Sequence, residues 1–400
     1  MSFSFSNFLQ QQDWCEHSLK LHDTDRRQIE RALNREGHGG IEDLRALLSP
    51  LAEKSYLEEM ACLSRSLTRK RFGKAIRLFA PLYLSNECNN ICDYCGFSMD
   101  NKIARKTLND AEILREAGIL KKKGFDHLLL VTGESSRIVG VDYLSHALDL
   151  LRPHFANLSI EVQPLAIEDY DRLVNHGMHA VMVYQETYHQ KSYAQHHIKG
   201  KKSNYNWRVD TADRLGRTGV KKIGLGCLYG LTEDWRTDAL YCGMHLSYLE
   251  KKYWKCAYSM SFPRIRPYEG EKIVATDISN RHLVQLLCAF RIFNHELELT
   301  LSTRESPLLR ENLLPLGVTT MSAGSKTNPG GYSEEVDSLE QFMTSDERTP
   351  EEISLMLQSK GFDPVWKDWD LSYDLQETYP RKDALSLHQS STTAHLANPV

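Results

Sequence analysis

Ile76-Arg77-Leu78-Phe79-Ala80-Pro81-Leu82-Tyr83-Leu84 runs within a few residues into Cys88-Asn89-Asn90-Ile91-Cys92-Asp93-Tyr94-Cys95, a mostly apolar stretch followed by three cysteines. The first segment reads as a strand covered on both faces. The CxxxCxxC spacing lets one compact loop close three thiolates around a single cubane. Iron–sulfur clusters ordinarily take four cysteines, and no fourth lies near in sequence, so one iron is left without a protein ligand. An open metal position is what a catalytic centre needs, because a substrate or cosubstrate has to bind there. The competing readings are a structural zinc site and three unrelated thiols. Zinc wants a fourth ligand at a usable spacing, and although His127, His146 and the His196-His197 pair exist, none forms the familiar paired arrangement.

Outward from this loop, short apolar β-branched runs alternate with amphipathic segments. The candidate strands are Ile76–Leu84, His127–Thr132, Leu158–Pro164, Ala180–Tyr184, Lys222–Tyr229, Tyr258–Arg266, Leu297–Thr303 and Val318–Ala323. Between them, Asp110–Lys123, Val141–His154, Ile167–His176, Trp207–Thr218, Trp235–Lys251 and Ser279–Phe293 carry apolar residues at helical intervals. Eight strands alternating with helices predict an α/β fold, a (β/α)8 TIM-like barrel rather than an open doubly wound sheet. The expected organisation is an N-terminal helical extension over 1–72, a barrel core over 73–325 and a C-terminal extension packed on the barrel over 326–380. Residues 381–400, rich in Ser, Thr and His, read as a mobile tail.

A chain of 400 residues with 41% hydrophobic and 26% charged content is an ordinary globular protein. The net charge of −4 gives no nucleic-acid signal, and the dense basic run Lys199-Gly200-Lys201-Lys202 reads as a solvated loop. There is no secretory leader pattern and no apolar run long enough to span a membrane, so the chain is expected in the cytoplasm. Nine cysteines fit a reducing compartment; Cys15, Cys62, Cys227, Cys242, Cys256 and Cys288 stand singly and read as small buried hydrophobes.

In a barrel of this kind the active site lies at the C-terminal ends of the strands. The second strand ends in Thr132-Gly133-Glu134, the third in Glu161-Val162-Gln163-Pro164 and the fourth in Tyr184-Gln185-Glu186. Gln163 and Glu186 are candidates for polar ligand contacts, and Arg264 or Arg266 for neutralising a carboxylate or the cluster. The seventh strand ends in Ser302-Thr303-Arg304-Glu305 and the eighth in Ser322-Ala323-Gly324-Ser325. A guanidinium at Arg304 can grip an α-carboxylate bidentately and the Ser322 hydroxyl can complete the clamp, which points to an amino-acid substrate.

The cysteine spacing resembles the radical S-adenosylmethionine (SAM) superfamily, and Thr132-Gly133-Glu134 resembles its GGE motif. With Asn101–Leu108, Val183–Tyr188, Leu301–Glu305 and Ser325-Lys326-Thr327-Asn328-Pro329-Gly330-Gly331-Tyr332, the chain from about residue 12 to 370 resembles the 2-iminoacetate synthases, tyrosine lyases of thiamine thiazole biosynthesis. The resemblance implies one [4Fe–4S] cluster on Cys88, Cys92 and Cys95, with the fourth iron open to SAM. It implies SAM contacts from Tyr94, Thr132, Gly133, Glu134, Gln163 and Glu186, and Arg304 and Ser322 as the catalytic substrate clamp. A 5′-deoxyadenosyl radical would then drive Cα–Cβ scission of L-tyrosine to 2-iminoacetate (dehydroglycine) and 4-methylphenol (p-cresol). Expected partners are a thiazole synthase and an electron donor such as flavodoxin or ferredoxin. The tyrosine lyase of [FeFe]-hydrogenase maturation is the nearest alternative, but its second cluster needs C-terminal cysteines, whereas the last cysteine here is Cys288. A non-catalytic metal-binding scaffold is the other alternative.

Overall fold

The computed structural model describes residues 4–268, 273–333 and 340–367. Eight parallel strands close into a barrel: β1 (Ala75–Ser85), β2 (His127–Thr132), β3 (Asn157–Glu161), β4 (Met178–Met182), β5 (Lys222–Gly226), β6 (Ala257–Ser261), β7 (Glu298–Leu301) and β8 (Thr320–Ser322). Closure is made by β8 on β1, with Arg77 opposite Thr320, Leu78 opposite Met321 and Phe79 opposite Ser322. The six expected inter-strand helices are present. One of them, Trp207–Thr218, is interrupted at Asp210 into Tyr205–Val209 and Thr211–Gly216. The Asp210 carboxylate there accepts the Ser6 amide at 2.8 Å and the Ser6 hydroxyl at 2.7 Å, trading helix continuity for a tie to the N-terminus.

Five of the strands stop two to five residues earlier than their apolar runs suggest, for one reason. Beyond Gly226 the chain leaves the regular ladder for single bridges, the Leu228 amide donating to Glu186 O at 2.8 Å and the Tyr229 amide to Pro263 O at 2.8 Å. These residues remain buried, so hydropathy counts them as strand although they form the rim.

The first 72 residues are helical. Ser49 caps a helix that starts with Pro50 at its first position, and the Gln285 amide donates to Leu47 O at 2.9 Å and Ser49 O at 2.8 Å, satisfying the break between the two helices. The Phe5 ring stacks on His245 at 3.9 Å, and its amide donates to Asp213 at 2.8 Å. The bottom of the barrel holds an ion triad in which Arg77 and Lys222 both pair with Glu298.

After Gly324 the chain crosses the barrel mouth, and Thr327, Asn328 and Asp346 are buried there. A helix forms over Pro350–Ser359. A short strand, Asp363–Val365, adds to the foot of β1. The tail over 381–400 lies outside the described residues. Cys227, Cys242 and Cys288 are buried as expected; Cys15 and Cys62 are exposed, because both lie on outward faces of N-terminal helices. No helix among the described residues is long and apolar enough to cross a membrane.

Candidate active site

The loop after β1 is cross-tied before any metal is considered. Arg105 donates to Asn86 O at 2.6 Å, Phe97 O at 2.9 Å and Ser98 O at 2.7 Å. Asn86 bridges Ala104 O and the Lys106 amide, and Asn101 donates to Gly96 O at 3.0 Å. Arg105→Ala would leave three carbonyls without their shared donor, at about 1–3 kcal/mol for each one that stays buried. We expect a several-fold fall in iron retained after anaerobic reconstitution, measured as iron per chain.

Cys88, Cys92 and Cys95 line one cavity together with Thr132, Gly133, Glu134, Glu161, Glu186, Lys202 and Arg208. Among the described residues no three His, Cys, Asp or Glu side chains close on a point as a lone ion requires. The thiols border a volume, and a cluster carrying its own sulfides fits that donor set. Burial raises all three thiols, Cys95 to about 11, so in the metal-free protein they are protonated and metal binding would displace the protons.

Gly133 sits where any larger residue would strike the backbone of the cysteine loop: a Cβ would lie 2.3 Å from Glu87 O. That close approach lets the Asn89 amide donate to Glu134 O at 3.0 Å and brings the Glu134 carboxylate to Asn90 Nδ2 at 2.9 Å. The Thr132 hydroxyl is buried on the cavity wall and, among the described residues, has no hydrogen-bond partner. Glu186 adopts φ 73°, rare for a residue with a side chain, and so aims its carboxylate inward.

Both carboxylates meet cations that the sequence did not assign to the site. Lys202 Nζ lies 2.7 Å from Glu186, and Arg208 lies 2.9 Å from Glu134 and 3.2 Å from Glu186. Burial would raise the Glu134 carboxyl, but Arg208 and Lys202 outweigh it and hold the group below its usual range. The basic run at 199–202 is therefore not a wholly solvated loop. Gly200, at φ 97°, presses against Asn89 and Asn90 where a Cβ would clash at 2.2 Å, and this turn delivers Lys202 to the cavity. Its partners come from distant strands, so no local pattern announced it.

Tyr94 is anchored rather than free: its hydroxyl is 2.7 Å from His197 Nε2, and His197 Nδ1 is 2.7 Å from Tyr193 O. A carbonyl only accepts, so Nδ1 carries the proton and Nε2 accepts from Tyr94. Burial keeps this histidine neutral. His196 joins Asp93 at 3.0 Å to Leu231 O at 3.0 Å, so both histidines hold the cysteine loop by hydrogen bonds.

Gln163 is not brought to the thiols. Its side-chain nitrogen donates to Val139 O at 2.9 Å and the residue lines a separate cavity with Asn89, Arg137 and Trp207. β3 ends at Glu161, which lines the thiol cavity; Gln163, two residues on, is itself buried and lines the neighbouring cavity, whose wall includes Asn90 and Glu134 of the first. Arg264 and Arg266 are likewise committed, both to the Glu305 carboxylate.

A second, larger cavity shares Cys95, Glu161, Tyr184, Glu186, Lys202 and Gln341 with the first. Arg304 and Ser322 both line it. The Arg304 guanidinium stacks 3.3 Å from the Phe342 ring centroid and, among the described residues, makes no ion pair. The Ser322 oxygen accepts the Thr303 amide at 3.1 Å, leaving its own hydrogen to donate. Gln341 bridges the two cavities, accepting from Tyr83 at 2.7 Å with its amide nitrogen 3.9 Å from Cys95 Sγ.

Comparison with known proteins agrees with this geometry. Residues 82–240 match the radical SAM superfamily, and residues 261–363 match the biotin and thiamin synthesis associated domain. The chain is 49% identical to the 2-iminoacetate synthase of Escherichia coli (strain K12) over 367 residues, 92% of this chain and 97% of that one. The Salmonella typhimurium 2-iminoacetate synthase matches at the same identity and coverage. Among solved structures, HydG, a maturase of the [FeFe]-hydrogenase, superposes with a TM-score of 0.84 at 30% identity, covering 90% of this chain and 81% of that one. The three-thiol loop, the closed barrel and this level of identity along nearly the whole chain together place it: the chain belongs to the 2-iminoacetate synthase family of the radical SAM superfamily.

Proposed function

We propose that this chain cleaves the Cα–Cβ bond of L-tyrosine to 2-iminoacetate and p-cresol, with Cys88, Cys92 and Cys95 holding one [4Fe–4S] cluster whose fourth iron is left to SAM. When bound, the cluster and SAM supply hydrogen-atom abstraction; the protein's part is to bind, orient and exclude water. Thr132, Gly133 and Glu134 face the thiols and offer a hydroxyl, a backbone and a carboxylate to the amino-acid end of SAM. Glu186, Lys202 and Arg208 form the charged floor beside them, and Tyr94 lines the adjoining larger cavity. The observation that carries the substrate reading is Arg304: a guanidinium without an ion-pair partner among the described residues, in a cavity contiguous with that of the thiols. A carboxylate is the ligand it lacks, and the Tyr83, Tyr184 and Phe342 rings around the cavity suit an aromatic side chain.

Anaerobic incubation of the reduced, cluster-loaded protein with SAM and tyrosine is expected to yield 5′-deoxyadenosine and p-cresol together. Deoxyadenosine without p-cresol would overturn tyrosine as substrate. Arg208→Met removes a cation shared by two buried carboxylates, a loss of about 3–5 kcal/mol when such a network is broken. The expected result is a lowered melting midpoint together with SAM affinity weakened about a hundredfold, read by equilibrium titration. Because 2-iminoacetate is an imine and hydrolyses in water, a docked thiazole synthase is the consumer that the chemistry favours, and flavodoxin or ferredoxin the class of reductant.

A further inference from the structure

The larger cavity contains two opposite charges that do not pair. Glu161 closes β3, opposite Val131 of β2, in the wall common to both cavities. Among the described residues its carboxylate takes part in no hydrogen bond and no ion pair. The nearby cations are engaged elsewhere: Lys202 with Glu186, Arg208 with Glu134 and Glu186, and Arg304 stacked on Phe342. Arg304 and Glu161 therefore face one cavity with a gap between them. An α-amino acid carries an ammonium and a carboxylate on one carbon, and that zwitterion is complementary to the pair.

We propose that Glu161 is a catalytic residue, receiving the α-ammonium of tyrosine and accepting one proton from it while Arg304 holds the carboxylate. This rests on the tyrosine reading above. The ammonium nitrogen has no lone pair and cannot form the C=N bond of 2-iminoacetate until an N–H bond gives up its proton. In the step, that proton passes to a Glu161 oxygen, the bonding electrons stay on nitrogen, and nothing is oxidised or reduced: ammonium and carboxylate become amine and carboxylic acid. The groups facing Glu161 are Tyr83 from β1, Tyr184 and Glu186 from the end of β4, Lys202 and Arg208 from the following segment, and Arg304 from the end of β7. Burial first, then Glu186, pushes the Glu161 carboxyl up to about 7 against the pull of Arg304, Lys202 and Arg208. A base in that range is about half ionised at neutral pH, and its ionised form is still basic enough to take a proton.

The test compares cluster-loaded wild type, Glu161→Gln and Glu161→Asp, all with SAM. L-Tyrosine and 3-(4-hydroxyphenyl)propanoate, the same acid without the amine, are titrated against each, and p-cresol formation is followed across neutral pH. Wild type is expected to prefer tyrosine and to show a rate rising as pH passes through about 7, because Glu161 must be ionised to act. Glu161→Gln is expected to lose that preference and the rising limb, with p-cresol formation down about 10²–10⁴-fold and cluster absorbance and SAM affinity unchanged; Glu161→Asp should restore part of the rate. Retention of both the preference and the rising limb in Glu161→Gln would overturn the proposal, and so would loss of the cluster or of SAM binding, which would make the residue structural. A wild type that binds SAM yet makes no p-cresol would overturn the tyrosine reading itself.

Discussion

Arg304→Ala is expected to abolish p-cresol formation, by about a thousandfold or more, while leaving the cluster and the fold intact. The size of the effect follows from what the guanidinium does not touch. It makes no ion pair within the described chain, so its charge is available to a ligand. Burial alone disfavours that charge, and the nearby Tyr83 and Glu161 only partly offset the penalty. A carboxylate docked by two parallel N–H···O bonds would complete it and fix the Cα–Cβ bond relative to the neighbouring cavity. Alanine removes both the bond pair and the orientation, and a displacement of about 1 Å costs on the order of a hundredfold on its own. The same absence of partners predicts little loss of stability, since no ion pair is broken among the described residues; the melting midpoint should move by less than about 2–4 °C. Cluster absorbance, melting midpoint and p-cresol yield measured on one preparation decide the matter. Wild-type turnover in this variant would remove the clamp from Arg304.

How far the sequence reached depends on whether a signal was local. The eight strands were legible because a barrel strand is covered on both faces and reads as an apolar run, and β2, His127–Thr132, matches residue for residue. Their C-terminal ends were not, since rim residues such as Cys227 and Tyr229 are as buried as the ladder. The three cysteines and Thr132-Gly133-Glu134 were legible because each motif is contiguous. Lys202 and Arg208 were not: their task exists only after Gly200 folds against Asn90 and the segment meets Glu134 and Glu186 from two other strands. Gln163 was singled out from the sequence and Glu161 was not, because β3 ends at Glu161, short of its apolar run, and that end residue is the one that lines the thiol cavity. Gln341 enters from beyond the barrel's last strand, where no rule tied to strand ends would look.

Cys92→Ala is expected to eliminate the cluster, and with it all deoxyadenosine and p-cresol formation, without unfolding the barrel. Cys92 is the most enclosed of the three, on the two-residue strand Ile91–Cys92 that pairs with His197–Lys199, and its amide donates to Ser98 Oγ at 3.1 Å. Two remaining thiols cannot retain a cubane that already has one open iron, so iron content should fall to background and the brown colour disappear. The fold should survive because the loop does not depend on the thiol. Arg105, Asn86 and Asn101 tie its backbone, and His196 and His197 hold Asp93 and Tyr94 from outside. Replacing a buried thiol with a methyl group deletes one heavy atom from a wall already open to the cavity, and the midpoint should stay within about 2–4 °C of the metal-free wild type. The same variant tests the non-catalytic scaffold, which requires zinc, a colourless protein and no SAM binding. Brown wild type that loses colour, SAM binding and deoxyadenosine together at Cys92→Ala, with its barrel intact, leaves the three thiols no role but to hold the catalytic cluster.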